Sequence, residues 1–433
     1  MNANERSLLR ELAKKLQEYS KLPCMEERRQ LWYDHNDLKT QQPVIMCAPE
    51  ACWQEILPAS QLQCTTPELR RTEWILRARI MHEELIHDDD PVEDTWDCPK
   101  AIAITPWKIK DKGEDYWNSN VYDFVPSMGA VPCVWEKNYH FDATASKADP
   151  LIDDFDDDEQ IDKLIPPQII YDEQKSRENL ELHQDIFGDI LNVRSSGPRG
   201  MGFGLISSYI TIRGYENALY DLYDYPEEMH RLLEKITDSR IALEKQMEAD
   251  HLFYANHGCH YCGSGGLGYT REIAVPEDQP VKRSDMWGFA EAQEFVAVSP
   301  EMTKAFSIDY ECRYLSGFHF AAYGCCESLE DKLKYILDMP NIRRISVCPW
   351  ANVSSMQEQI GMKAVFSCKP NPSYLVESWD EDLMDRYMMR LTKESKGSPV
   401  EFILKDTHTI GGDPAKLRNW TDLCRRCIDK VYG

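Results

Sequence analysis

Four strand-then-helix units follow one another between residues 318 and 431, and no other feature of this 433-residue chain restricts its fold as strongly. Apolar runs at 318–323, 344–348, 363–368 and 400–404 have strand length, and helical stretches follow at about 328–339, 355–360, 381–394 and 414–431. Alternation of this kind builds a parallel sheet, because a parallel partner is reached only through a crossover connection. The regularity begins near residue 200. Pro226, with Glu227 and Glu228 in the first turn, opens a helix that runs to about Asp250, in keeping with the residues that helix starts prefer. A further helix starts after Ser299 and Pro300 and reaches Leu315.

Each strand of the four ends in residues able to do chemistry. Gly324, Cys325, Cys326 and Glu327 follow the first, Pro349 and Trp350 the second, Lys369 the third, and Lys405, Asp406, Thr407 and His408 the last. (β/α) barrels place their active sites at this edge. An open nucleotide-binding sheet would use it too, but no Gly-x-Gly-x-x-Gly follows a strand. The expected fold class is therefore α/β, a (β/α)8 TIM barrel over 131–433. A mixed α/β extension over 1–130 precedes it, where the run 43–48, the helical stretch 68–86 and the run 101–104 share no period. An acidic segment, 149–162, follows the boundary. Its Asp153, Asp154, Asp156, Asp157, Asp158 and Glu159 lack the alternate spacing and glycine turn of a calcium loop, so it reads as a solvated loop.

With 49 Lys and Arg against 74 Asp and Glu, the net charge of −25 repels phosphate backbones and anionic headgroups, which disfavours nucleic-acid and membrane-surface partners. No run approaches 18 uncharged apolar residues and no signal-peptide core is evident, so a cytoplasmic protein is expected. The 15 cysteines are odd in number and scattered through apolar runs. They read as free thiols, mostly buried, in a reducing compartment and not as a disulfide framework.

In a closed barrel all strand ends face one mouth, so Cys325, Cys326 and Glu327 could meet His408 on one ion, and sulfur with imidazole suits zinc. A zinc with an open position would activate a nucleophile or polarise a leaving group. Packing for the cysteines and helix capping for His408 is the competing reading. Lys405 is placed to hold a substrate carboxylate or phenolate, and Asp406 to orient His408; an ordinary ion pair is the alternative. Trp350, Tyr323, Trp287 and Phe289 are candidates for an apolar pocket. Asn256, His257, Cys259, His260 and Cys262, ahead of the glycine-rich run 263–268, form an expected active-site loop with His260 touching substrate. A second zinc there would need another cysteine pair. The glycines of 200–204 lack the Lys-Ser/Thr of a phosphate loop.

The order of Gly197, Pro198, Arg199 and Gly200, then Tyr225, Pro226 and His230, then Ser299, Pro300 and Met302, then a strand ending in cysteines resembles the uroporphyrinogen decarboxylase superfamily over about 185–430. Its nearest functional branch is the corrinoid-dependent, zinc-containing methyltransferases. In them zinc is bound by a His-x-Cys motif at a strand end and by a later cysteine. Cys325 matches the motif's cysteine, Tyr323 stands in place of its histidine, and His408 in place of the later cysteine. The resemblance implies a zinc-dependent methyltransferase moving a methyl group from a methoxyaromatic or a methylated amine to a corrinoid protein or a thiol. The corrinoid is expected on a partner protein, on the reading that the chain itself has no Asp-x-His-x-x-Gly cobalamin motif, and a homodimer is compatible with this. Asp406, Lys369 and Tyr323 are the expected catalytic residues; His260, Trp350 and Lys405 the substrate contacts; Cys325, Cys326, Glu327 and His408 the metal ligands. Two rivals stand beside it: a metal-free decarboxylase or lyase working through Lys369, Asp406 and His408, and a non-catalytic tetrapyrrole- or corrinoid-binding protein. Residues 1–60 lack the Arg- and Gly-rich segment of true uroporphyrinogen decarboxylases.

Overall fold

The short apolar runs of the second half lie side by side in one parallel sheet. The computed structural model describes residues 1–110, 150–153, 155, 159–199, 202–276, 279–376 and 379–433. In chain order its strands are β1 Val44–Cys47, β2 Thr95–Pro99, β3 Ala101–Ile104, β4 Lys108–Ile109, β5 Leu164–Ile165, β6 Ile169–Asp172, β7 Asn192–Ser196, β8 Gly202–Gly204, β9 Trp287–Glu291, β10 Phe320–Tyr323, β11 Ile342–Val347, β12 Val365–Cys368 and β13 Val400–Leu404. Seven of them form a sheet in the order β1-β13-β12-β11-β10-β9-β8, and every neighbouring pair is parallel. β2 pairs in parallel with β7, while β3–β6 and β4–β5 are small antiparallel ribbons.

The eight-stranded closed barrel of the sequence reading is thus reduced to a barrel-like, seven-stranded parallel sheet; strand pairing does not close it among the described residues. Side chains explain the break at β1. Asp89 and Asp88 carboxylates accept the Ile45 and Cys47 amides at 2.8 Å each, and Asp89 N–H donates to Ile45 O at 2.9 Å. The outer edge of β1 is satisfied by carboxylates where a strand would otherwise pair. β1 itself comes from the N-terminal part of the chain and pairs with β13. The boundary near 130 and Asp149 lie outside the described residues. Within the acidic segment, Leu151, Ile152 and Phe155 are buried and 159–163 is helical.

One face of the sheet carries the helical layer. Phe366, Phe402 and Leu404 join a core with Met384 and Met388 from the helix Glu381–Glu394 and Leu417, Trp420 and Leu423 from the helix Ala415–Tyr432. Apolar residues three and four apart put one stripe of each helix against the strands. The helix Pro226–Ala249 follows the sequence expectation, but only Leu333–Ile336 is α-helical after β10. Lys332 and Tyr335 donate instead to carbonyls three residues back, at 2.9 and 3.0 Å, so the segment winds as tight turns.

The opposite face holds the glycine-rich hairpin of residues 256–268. Cys262 N–H donates to Gly266 O at 3.0 Å and Tyr261 bridges Leu267. Gly266, with φ +89°, lies where a Cβ would stand 2.6 Å from Glu401 and 3.0 Å from Arg344. Only glycine satisfies both the turn and the approach. Among the described residues no helix is long and apolar enough to cross a membrane, and the fourteen described cysteines are free, most of them buried.

Candidate functional site

Gly324 turns the chain after β10 with φ +91°, where a Cβ would meet Leu329 at 2.5 Å. Cys325 follows with its backbone fixed on both sides: its N–H donates to Glu327 Oε2 at 2.8 Å and its carbonyl accepts from Ser346 Oγ at 2.9 Å. Its sulfur lies 3.6 Å from Cys326 Sγ and accepts from Ser264 Oγ at 3.4 Å. Lys405 Nζ donates to the same hydroxyl at 3.1 Å. Hydrogen bonding from Cys326 holds the Cys325 thiol below its usual range against the cost of burial, with the Lys405 charge and Ser264 assisting. Cys326 is pushed up by that same contact and by burial. Of the two sulfurs, Cys325 is thus the more readily ionised.

Asp406 stands beside it. Its Oδ2 is 3.9 Å from Cys326 Sγ and its Oδ1 3.6 Å from Lys405 Nζ. The residue takes φ +57°, which Asp tolerates better than most. Thr407 Oγ1 reaches the Ala48 and Pro49 carbonyls at 2.7 Å each, anchoring the loop after β13 on the end of β1.

Other expected residues lie elsewhere. Tyr323 is buried toward the helical layer and donates to Glu311 Oε2 at 2.6 Å, so it stands away from the mouth; strand alternation sends it to the face opposite the hairpin. Lys369 is buried, donating to the hydroxyl and carbonyl (3.2 Å) of Ser367, and burial pushes it down to about 8. Ser367 in turn donates to Glu401, which is paired with Arg344 at 3.0 Å and His35 at 3.2 Å. His260 is buried between Arg199 and Asp97, and burial first, then Arg199, keep it neutral. The tip that reaches the cysteines is Ser264. Trp287 and Phe289 lie on β9, with Trp287 packed on Phe320.

The expected zinc quartet does not fit this arrangement. The 3.6 Å between Cys325 and Cys326 sulfurs matches two thiolates on one tetrahedral ion, about 3.7 Å apart for Zn–S bonds of about 2.3 Å. Glu327, however, accepts from the Cys325 and Ala292 amides at 2.8 and 3.3 Å, and His408 is exposed. Among the described residues no three His, Cys, Asp or Glu side chains are gathered as a metal group.

An open cavity of about 420 Å³ adjoins the pair, lined by Gln293, Glu294, Val296, Cys326, Glu327 and Trp350. Trp350 is 73% exposed and Val296 59%. Sequence reasoning reached Trp350 but missed Glu294, Val296 and Ser264. The first two follow β9, whose strand character is hidden by Gly288 and two bulky aromatics. Against the expectation that the chain lacks one, residues 406–411 do carry an Asp-x-His-x-x-Gly spacing, with His408 as its histidine.

No family model matches the sequence, and no curated protein sequence does. Among solved structures, a methyltransferase from Methanosarcina mazei aligns over 94% of this chain and 99% of its own, with 10% identity and a TM-score of 0.44.

Proposed function

We propose that this chain is a methyltransferase whose sulfur centre is the Cys325–Cys326 pair. The observation that supports this reading is the placement of the Cys325 sulfur, which accepts from Ser264 while Lys405 donates to the same hydroxyl, at the carboxyl ends of a parallel sheet and beside a cavity of about 420 Å³. A small methylated compound in the cavity presents its methyl carbon to the pair. The thiolate attacks, the S–C bond forms as the methyl–heteroatom bond breaks, and the heteroatom leaves with the electron pair. The methyl then passes to a corrinoid, on a partner protein or bound by this chain, or to a thiol acceptor. Lys405 and Ser264 keep the sulfur ionised, and Asp406 holds Lys405 in place. A zinc ion, were it bound, would be held by the Cys325 and Cys326 sulfurs.

The test is anaerobic incubation with trimethylamine, choline or 4-methoxybenzoate, first without acceptor and then with cob(I)alamin. A gain of one methylene mass on the Cys325–Cys326 peptide, and methylcobalamin formed by the wild type but not by Cys325→Ala, is the expected result. Methyl transfer undiminished in Cys325→Ala, or none with any donor, overturns the reading.

A further inference from the structure

The walls of the cavity over Cys326 are unlike those that would suit a neutral ether. Trp350 offers a free indole face on one side. Glu294 and Glu327 line the cavity, and no Lys or Arg does. Glu294 is half-buried and hydrogen-bonded to the Ser207 side chain, while its Oε2 atom is buried without a partner. Behind them stand two more carboxyls: Glu291, buried at the end of β9, and Glu311, buried with its Oε1 unpartnered. The one ammonium in this group, Lys332, donates to the Phe295 carbonyl at 2.8 Å. Burial and the nearby Glu294 push Glu291 up to about 8, as in a carboxyl cluster short of a positive charge.

We infer that this cavity takes its ligand as a methylated ammonium ion, so that the methyl donor of the proposed reaction is a methylated amine and not a methyl ether. The inference rests on the methyltransferase reading for the word donor, though not for the cation site. A quaternary ammonium has no N–H to offer, and an aromatic face beside carboxylates that no Lys or Arg of the cavity wall neutralises is the environment that stabilises it. A neutral ether would leave Glu294 Oε2 desolvated and unanswered. The chemistry agrees, because a quaternary nitrogen that loses its methyl takes the bonding pair and departs as a neutral amine with no proton required.

The experiment is calorimetric titration of the full chain with choline, with its uncharged carbon isostere 3,3-dimethylbutan-1-ol, and with anisole, on wild type, Trp350→Ala and Glu294→Gln. Both variants alter cavity-wall side chains, and circular dichroism checks their folding. Choline is expected to bind about tenfold more tightly than its isostere, and each variant to weaken choline about five- to tenfold while leaving the isostere unchanged. Equal binding of choline and isostere, tighter binding of anisole, indifference of choline to both variants, or no choline binding at millimolar concentration overturns the inference. Binding is read without turnover. Selective choline binding without methyl transfer removes the catalytic reading and keeps the cation site; transfer from a methoxyarene without choline binding does the reverse.

Discussion

Ser264 Oγ lies 3.4 Å from Cys325 Sγ although 61 residues separate them. The contact exists because the hairpin of residues 256–268 crosses the inward face of the sheet and delivers its tip to the strand ends. Lys405, from the last strand, closes the arrangement on the same hydroxyl. A cysteine sulfur, a hydroxyl and an ammonium from three distant segments thus form one unit, in which the hydroxyl passes the cation's polarisation to the sulfur.

Removing either support should raise the Cys325 thiol toward its ordinary range. Ser264→Ala and Lys405→Met are expected to slow iodoacetamide labelling of Cys325 at pH 7, about tenfold for each pH unit of upward shift, because only the thiolate reacts. Peptide mass spectrometry across pH 5 to 9 gives the midpoint. Identical midpoints in both variants and wild type would show that neither residue acts on the sulfur.

The hairpin's seat is tested by glycine. Gly266→Ala puts a methyl group against Glu401 and Arg344 at positive φ, whereas Gly412→Ala meets the same backbone strain, φ +75°, with nothing within 4 Å. The expected loss is about 3 kcal/mol for the first and about 1 kcal/mol for the second. Urea melts measure both, and Cys325 labelling should slow only in Gly266→Ala. Equal losses would place the cost in the backbone and not in the packing.

Much of this architecture is legible in the residues, and the gaps have physical causes. Strands at 400–404 and 344–348 announce themselves as buried runs bounded by polar strand ends, and Cys325, Cys326, Lys405 and Asp406 do converge at one rim. Ser264 is not legible, because a serine among glycines carries no periodicity and its partners come from β10 and β13. His260 misleads for the same reason: its imidazole looks free in sequence, but Arg199 and Asp97 reach it from segments with no local signal. Among the described residues strand pairing stops at β1, where the Asp88 and Asp89 carboxylates take up the edge amides, a tertiary substitution that alternation patterns do not encode.

Metal content separates the two cysteines from His408. If zinc co-purifies, Cys325→Ala and Cys326→Ala are each expected to lower it by at least about tenfold, the scale on which even a ligand's supporting partner is lost, while His408→Ala leaves it unchanged. Plasma mass spectrometry of anaerobically purified protein reads this directly. Zinc lost in His408→Ala would mean that the exposed imidazole swings onto the pair. Titration of the same variant with cob(III)alamin asks whether His408 serves cobalt instead: a spectral change in wild type that the variant lacks assigns it.

Alkaline pH should weaken the edge at β1. His82 Nε2 lies 3.1 Å from Asp88, whose Oδ2 also accepts the Cys47 amide. Burial alone would lower the imidazole, but Asp88, then Asp90, outweigh it and raise it to about 9 from 6.5. A folded-state value above the unfolded one means that the stabilisation is complete below 6.5, fades as pH rises toward 9 and is gone above it. The ceiling is roughly 3 kcal/mol, from 1.36 kcal/mol per unit. Urea melts at pH 6 and pH 9.5 on wild type and His82→Gln isolate this contribution from other titrating groups. Wild type should lose up to that amount more than the variant, and parallel losses would show that His82 is not charged in the folded protein.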